Sequence, residues 1–342
     1  LKLFSGEGRV IPSAPGAEVL ARYKAGEFAW AAHDGLGRAL TLPEPHEDHL
    51  AAVLATVNVE AIRRRGWHVL LDSNHGAGGL LGTRLLEALG CRVTLLGDIP
   101  DGAFAHPAEP TAENLAEVGA QVAAAGADVG FCQDPDADRL AVIDAAGRYI
   151  GEEYTLALCF DHVLRTRPGP IVVNGATSRM ADDLAAKYGV LLLRTAVGEA
   201  NVVDGMLASK AVFGGEGNGG PIDPRVVLVR DSFTGMALLL DAMTARACSL
   251  AELAEELPRY AIHKTKVTLA PERVAAGLAL LEERFPEAKA VTGDGLRLDW
   301  PDRWLLVRAS NTEPIVRVIV EAPNEPAAVA LAEEAQRRLA EA

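Results

Sequence analysis

The sequence predicts a multidomain α/β protein, in which successive layered α/β domains with mixed or parallel sheets precede a C-terminal α+β domain. Its 342 residues are enough for roughly two to four domains. Strand-helix-strand segments, the building blocks of parallel α/β sheets, recur along the first three quarters of the chain. After about residue 260 they give way to closely spaced strands with two helices.

The predicted elements begin unevenly at the N-terminus. Residues 3–15 are expected to form a strand and a loop. From His46 onward, apolar residues at three- and four-residue spacing predict a helix that ends at Gly66. A strand at 67–72, a glycine-rich turn at 74–79, a helix to residue 90 and a strand at 91–96 follow.

The same alternation continues to the C-terminus, with a domain boundary near residue 258. We predict helices at 111–126, 178–188, 231–246, 250–257 and 271–285 and from Asn324, and strands at 127–133, 171–173, 190–195, 211–213 and 262–269. Within residues 290–320 we predict strand pairs, including a hairpin of 296–300 with 304–307.

Composition and charge exclude several classes of protein. The 49% apolar and 23% charged residues are typical of a globular chain, and the net charge of −14 disfavours nucleic-acid binding. There is no run of about 18 apolar residues to span a membrane. Four scattered cysteines without CxxC spacing indicate inert thiols in a reducing cytosol, so we expect a cytoplasmic protein.

Three carboxylates at alternate positions follow a predicted strand, at Asp134, Asp136 and Asp138. They repel one another unless a cation binds between them, and Mg²⁺ prefers such oxygen ligands. Arg139 beside them favours a site where a phosphate meets the metal. An EF-hand is excluded, because its glycine and twelfth-position acid are lacking. A solvated acidic turn is the alternative.

Glycines surround one acid and one amide in the second loop, at residues 214–220. Glu216 and Asn218 can accept and donate hydrogen bonds to sugar hydroxyls, while the glycines allow a ligand to approach the backbone. A glycine-rich loop alone is weak evidence, and a purely structural turn remains the alternative.

The third loop combines arginines with hydroxyl and amide groups at a predicted strand end. These donors suit a phosphate monoester, although a turn whose polar groups cap one another is the alternative. No nucleotide-binding P-loop pattern is present. The candidate residues are Arg308, Ser310, Asn311, Thr312 and Arg317.

Taken in order, the three loops resemble those of the α-D-phosphohexomutase family, which includes phosphoglucomutases, phosphomannomutases and phosphoglucosamine mutases. Residues 134–139 are similar to the family's DGDADR metal loop, with Pro135 in place of glycine. Residues 216–220 resemble its GExSG sugar loop, and residues 308–314 its RxSGTEP phosphate loop, with Asn311 in place of glycine. Nearly the whole chain is covered, because residues 76–79, 109–111 and 197–199 also fall in family order.

The resemblance implies a first domain with a phosphorylated serine in a TASHNP-like loop, and none of the eight serines has that context. Residues 1–4 read like the tail of the segment that follows this loop. We therefore expect the chain to begin after the nucleophile and to be inactive alone. Lys2 then matches the family lysine near the reacting phosphate, a candidate general acid/base; the alternative is a solvated lysine.

The resemblance also implies four domains. They are 1–61 (remnant of the phosphoserine domain), 62–155 (metal-binding), 156–259 (sugar-binding) and 260–342 (phosphate-binding).

The implied activity is interconversion of hexose 1-phosphate and hexose 6-phosphate, of mannose or glucose, through a phosphoserine and a sugar 1,6-bisphosphate. Mg²⁺ is the implied metal, and the bisphosphate is both intermediate and primer. The substrates are hexose phosphates, and a homodimer is one option for assembly. Sugar preference is open, because Glu199 and Gly220 stand where one branch of the family has histidines.

Three alternatives remain at this point. The first is a phosphoglucosamine mutase of the same family. The second is a non-catalytic sugar-phosphate binder, if the serine domain is truly absent. The third, a phosphatase of the haloacid dehalogenase type with Asp134 as nucleophile, would need Thr or Val where Asp138 stands.

Overall fold

Three β-sheets covered by helices make up the fold. The computed structural model describes residues 2–26, 28–42, 44, 46–310 and 314–342. Before the first sheet come helices α1 (Ser13–Ala25), α2 (Glu47–Leu54) and α3 (Val59–Arg65). The first of these contributes no buried residue, whereas the other two pack on the core through Val53 and Ile62.

The first sheet mixes parallel and antiparallel pairs, in the order β2-β1-β3-β4. The central strand is parallel to both of its neighbours, and β3 turns back antiparallel into β4. Every residue of β1, β3 and β4 is buried, as expected for strands covered on both faces. The elements are β1 (His68–Asp72), α4 (Gly79–Ala88), β2 (Arg92–Leu96), α5 (Ala116–Ala125), β3 (Val129–Gln133), β4 (Leu140–Asp144) and, after the sheet, α6 (Glu152–Thr166).

The second sheet repeats the arrangement of the first. Its order is β6-β5-β7-β8, with parallel pairs around β5 and an antiparallel return at the end. The β7–β8 hairpin therefore corresponds to the β3–β4 hairpin. The elements are β5 (Ile171–Asn174), α7 (Met180–Tyr188), β6 (Leu192–Thr195), α8 (Glu199–Ser209), β7 (Phe213–Glu216), β8 (Gly220–Ile222), α9 (Ser232–Arg246) and α10 (Leu250–Glu255).

The first two sheets share one hydrophobic core, whereas the C-terminal sheet has its own. Between the first two sheets lies α9, which is buried from Met236 to Leu240 and packs on α6. The C-terminal sheet is fully antiparallel, in the order β10-β11-β12-β13-β9. Its elements are β9 (Ala261–Thr268), α11 (Pro271–Arg284), β10 (Lys289–Thr292), β11 (Leu296–Asp299), β12 (Trp304–Ala309), β13 (Ile315–Ala322) and α12 (Glu325–Glu341).

The predicted fold class is confirmed, and three local predictions are wrong. Residues 3–15 contain only an isolated bridge from Phe4 to Val10 before α1 begins. The helix predicted from His46 is two helices, because the Asn58 side chain accepts from Ala61 N and restarts it. The helix predicted at 111–126 begins at Ala116, since the Asn114 side chain instead donates to Glu109 O in a turn.

Two further findings concern the described helices and the cysteines. None of the described helices combines the length and the hydrophobicity needed to cross a membrane. All four cysteines are free, and burial raises the pKa of the Cys91 thiol to about 12, so that this thiol stays protonated at neutral pH.

A histidine links α2 to the start of α9 and makes stability depend on pH. His49 Nε2 lies 3.3 Å from Asp231 Oδ2, and this hydrogen bond raises the pKa of His49. The pair therefore stabilises the fold fully below about pH 6.5 and loses this contribution as the pH rises through the folded pKa. We expect His49→Gln to lower the free energy of unfolding by about 0.5–1 kcal/mol at about pH 5.5 and by much less at about pH 8.5.

Urea unfolding at both pH values measures this difference, and His33→Gln, at an exposed histidine, is the control. An equal loss of stability at the two pH values would contradict the charged pair.

Candidate active site

Two hairpin loops, one from each of the repeated sheets, face each other. Residues 134–139 join β3 to β4, and residues 217–219 join β7 to β8. Leu140 N donates to Gly219 O at 2.8 Å, which holds the two loops together. A Cβ atom at Gly219 would lie 2.3 Å from Leu140 O, and its φ is +84°, so this contact requires glycine. We call residues 134–139 the metal loop and residues 216–220 the sugar loop.

The metal loop brings its three aspartates together. One oxygen from each of Asp134, Asp136 and Asp138 lies within 4.8 Å of the other two. Asp138 Oδ1 is buried and has no hydrogen-bond partner among the described residues, which is costly unless a cation binds there. Oxygen donors in this arrangement fit a hard divalent cation such as Mg²⁺. The structure thus brings together the three carboxylates that the sequence predicts as metal ligands.

The shape of the metal loop is stabilised by contacts with Ser232 and with the turn at residues 76–77. Ala137 adopts a left-handed backbone with φ of 59°, and its carbonyl accepts a 2.6 Å hydrogen bond from Ser232 Oγ. Ala77 N donates to Pro135 O at 2.8 Å. A Cβ atom at Gly76 would lie 2.5 Å from that same oxygen. The glycine-rich turn found in the sequence therefore packs directly against the metal loop.

Arg139 is engaged within the metal loop itself. Its backbone N donates to Asp134 Oδ1 at 3.0 Å and its Nε to Asp134 Oδ2 at 2.6 Å. Burial and the charge of Asp138 still raise the pKa of Asp134 above its usual range. Burial also opposes ionisation of Asp138, but there Arg230 and Lys2 outweigh it and lower the pKa.

Lys2 lies against the metal loop although it is far away in sequence. Its Nζ is 2.5 Å from Asp138 Oδ2 and 3.2 Å from Glu199 Oε2. Burial disfavours the ammonium, yet the hydrogen bond to Asp138 and the charge of Glu199 prevail and raise the pKa of Lys2. The side chain is therefore a protonated donor in this arrangement.

The sugar loop is held by a buried carboxylate with three partners. Glu216 Oε1 accepts from Asn174 Nδ2 at 2.6 Å and from Gly198 N at 3.0 Å, and Oε2 lies 3.0 Å from Arg230 Nη1. Both of its oxygens are thus engaged within the protein. Asn218 Oδ1, by contrast, is buried without a hydrogen-bond partner in the described part of the chain and can accept from a ligand hydroxyl.

Arg230 is a site residue that the sequence did not reveal. Its guanidinium contacts Asp138, Glu199 and Glu216, which come from both of the repeated sheets. No motif marks it, because it lies in a loop directly before Asp231, the N-cap of α9. The only sign of Arg230 in the sequence is its position directly before a residue that can cap a helix.

Three cations form a row across the C-terminal sheet. Arg308 on β12 lies opposite Arg317 on β13, which lies opposite Lys266 on β9. Directly opposite residues project from the same face, where like charges repel unless an anion binds. The alternation of the strand could have indicated Lys266, which was not predicted.

Of the other residues predicted for the phosphate loop, Ser310 is the last one described before residue 314. Its backbone N donates to Ile315 O at 2.8 Å. Asn311 and Thr312 lie outside the described residues.

Asp294 joins this cationic row to the other loops. Its Oδ1 is 2.7 Å from Arg308 Nη2, and its Oδ2 accepts from Val197 N at 2.6 Å. The next residue, Gly198, donates to Glu216. A continuous path of hydrogen bonds therefore runs from the cationic row through the sugar loop to the metal loop.

Three family models match the chain in consecutive segments. They are described as phosphoglucomutase/phosphomannomutase alpha/beta/alpha domain II at residues 46–147, domain III at residues 152–260 and the C-terminal domain at residues 265–338. The chain belongs to the phosphoglucomutase/phosphomannomutase family. This confirms the resemblance found in the sequence.

Individual members of the phosphoglucomutase/phosphomannomutase family agree with this membership. A Thermococcus kodakarensis protein named phosphoglucomutase/phosphomannomutase is 41% identical, over 81% of this chain and 61% of its own length. A probable phosphoglucosamine mutase of Thermococcus gammatolerans is 32% identical, over 100% of this chain and 76% of its own. A family protein from Burkholderia thailandensis, solved by crystallography, has a TM-score of 0.81 at 26% identity, over 97% of this chain and 71% of its own. The chain thus spans 61% to 76% of the length of these family members.

Mg²⁺ binding tests the metal loop. We expect calorimetric titration to show Mg²⁺ binding to the wild-type chain and at least about tenfold weaker binding to Asp136→Asn. The Asp136 side chain is 64% exposed, so the substitution should not disturb the fold. Asp101→Asn, in an exposed loop, is the matched control. Equal heats for all three proteins would remove the metal assignment.

Arg308→Ala tests the cationic row. Loss of a charge-assisted contact should weaken glucose 1-phosphate binding by about 1.5–3 kcal/mol and leave unphosphorylated glucose almost unaffected. Arg303→Ala, in the β11–β12 turn of the same domain, is the control. Comparable losses for phosphate ester and free sugar would show that Arg308 is structural.

Proposed function

We propose that the chain is part of an enzyme that interconverts hexose 1-phosphate and hexose 6-phosphate, of glucose or mannose, through a phosphoserine and a sugar 1,6-bisphosphate. The observation that carries this proposal is the hydrogen-bonded path that joins a carboxylate triad, a sugar loop and a cationic row. A phosphoryl-transfer enzyme needs these three parts, because positioning and charge neutralisation supply most of its catalysis.

The metal loop is proposed to hold Mg²⁺ through Asp134, Asp136 and Asp138. When bound, the cation would neutralise charge on the transferring phosphoryl group. Arg139 orients Asp134 through two hydrogen bonds and opposes the rise in its pKa that burial causes. The loop therefore provides a preorganised negative site that costs little rearrangement when a cation and a phosphate meet there.

Lys2 is proposed to move a proton at the sugar hydroxyl that gains or loses a phosphoryl group. Its ammonium is held between Asp138 and Glu199, which keeps it charged and directed at the metal loop. A protonated amine at this point can act as a general acid, and as a base after it has given up the proton.

The substrate must bind in two orientations, with either phosphate at the metal loop. The cationic row of Arg308, Arg317 and Lys266 is proposed to bind the non-reacting phosphate each time. Asn218 would contact the sugar hydroxyls, while Glu216 holds the loop that carries it.

The phosphoserine is proposed to lie outside the described serines, because none of them has the sequence context of the family's serine loop and four have hydroxyls that are already engaged. The hydroxyls of Ser73 and Ser232 are fully buried and donate to Gly97 O and Ala137 O. Ser178 Oγ accepts from Met180 N, and Ser209 Oγ donates within its helix. These hydroxyls are thus engaged in holding the backbone.

A phosphoglucosamine mutase is the second candidate, favoured by the Thermococcus gammatolerans relative that matches this whole chain. The product of the complete gene, assayed by NMR with glucose, mannose and glucosamine phosphates, separates the two. Fastest turnover of the amino sugar would favour the second candidate. We also propose a cytoplasmic location, which the four free cysteines support.

Turnover tests the proposal as a whole. The 342-residue chain alone should not convert glucose 1-phosphate to glucose 6-phosphate, and incubation with glucose 1,6-bisphosphate should leave no phosphoserine on it by peptide mapping. The product of the complete gene should show Mg²⁺-dependent turnover that the bisphosphate primes. Coupling to glucose-6-phosphate dehydrogenase measures the rate.

Two results would count against this. Turnover by the 342-residue chain alone would refute the serine argument and direct the search to another phosphorylated residue. A complete gene product that is inactive on all three sugars would refute the mutase and favour a non-catalytic sugar-phosphate binder.

A further inference from the structure

Arg230 is fixed at both its backbone and its side chain. Its N donates to Glu199 Oε1 at 3.2 Å, and the N of the following Asp231 donates to Pro221 O at 2.9 Å. The side chain is only 14% exposed. It therefore differs from a surface arginine, whose long side chain samples many rotamers.

The side chain of Arg230 passes directly over the end of the sugar loop. A Cβ atom at Gly220 would lie 2.3 Å from Arg230 Cδ, so the absence of a side chain at Gly220 makes room for the arginine. This requirement is steric, because Gly220 is not among the residues with a positive φ. Gly220 and Arg230 thus act as a complementary pair.

Each guanidinium nitrogen of Arg230 meets a different carboxylate. Nη1 lies 3.0 Å from Glu216 Oε2, in the sugar loop, and Nε lies 3.2 Å from Glu199 Oε2. Nη2 lies 2.6 Å from Asp138 Oδ2, in the metal loop. The planar guanidinium can hold three groups in fixed geometry, which an ammonium cannot do.

We propose that Arg230 is a positioning residue that holds the sugar loop in register with the metal loop, at the expense of cation affinity. The proposal rests on the function proposed above. Arg230 shares Asp138 with any cation bound there, so its charge competes with that cation. It also anchors Glu216, so its loss should loosen the sugar loop.

The two effects have opposite signs, which makes the test specific. In Arg230→Gln, Mg²⁺ should bind to the 342-residue chain several-fold more tightly, because a competing cation is gone. Glucose 1-phosphate should bind about tenfold more weakly, because Glu216 loses one of its three partners, the charged one. Inorganic phosphate should bind unchanged. Calorimetry measures all three affinities.

Three further variants separate positioning from charge and from folding. Arg230→Lys keeps the positive charge but lacks the planar guanidinium with its several N–H donors. Mg²⁺ affinity should therefore remain near wild type, while glucose 1-phosphate binding weakens. Gly220→Ala should weaken glucose 1-phosphate binding in a chain that keeps Arg230. In an Arg230→Ala background the same substitution should change this affinity little. Arg225→Gln is the matched control, because Arg225 lies in the same loop and its guanidinium pairs with Asp223, away from the metal and sugar loops.

Several results would overturn the proposal. Arg230→Gln could weaken Mg²⁺ and glucose 1-phosphate binding in parallel, as a purely structural residue would. It could weaken inorganic phosphate as much as glucose 1-phosphate, which would show direct phosphate contact. It could also leave all affinities unchanged. If the wild-type chain itself bound neither Mg²⁺ nor glucose 1-phosphate, the proposed function would fail first, independently of any variant.

Discussion

Uncompensated negative charge at one point is the constraint around which this molecule is organised. Asp134, Asp136, Asp138, Glu199 and Glu216 converge there, and all but Asp136 are buried. Only Lys2, Arg139 and Arg230 balance them among the described residues, so the cluster carries two excess negative charges. Buried charges are tolerated only when they are paired, and a divalent cation would supply the missing balance.

The repeated fold explains why these charges meet. Both of the first two sheets place an antiparallel hairpin after their third strand, and the two hairpins carry the metal loop and the sugar loop. The shared core around α9 holds the sheets together, and Ser232 at the start of α9 supports the metal loop directly. A site between two copies of one topology needs cross-connections, and the Leu140–Gly219 hydrogen bond and Arg230 provide them.

The C-terminal domain connects to this site through a few polar contacts and has a core of its own. Asp294 joins Arg308 to Val197, and Arg179 donates to Trp300 O at 3.1 Å and to Pro301 O at 2.6 Å. Polar contacts of this kind can open at modest cost, whereas a continuous apolar core cannot. The cationic row is thus carried by a domain that has its own core and is joined to the other two loops by polar contacts.

The sequence alone determined the fold class and the three loops, because these depend on local patterns. Alternating strands and helices predicted the α/β architecture, and alternate positions of one short loop carry the whole carboxylate triad. Glu216 and Asn218 likewise share one loop, Asn311 and Thr312 lie outside the described residues, and the ligand contacts of all four residues remain predictions. Local hydrogen bonds decided element ends that periodicity missed, as at Asn58 and Asn114. The family resemblance had already pointed to Lys2, whereas only the tertiary structure placed Arg230 and Lys266 beside these loops, because their partners lie on other strands and loops. Their roles depend on charge meeting charge across the fold, and sequence spacing contains no information about such distances.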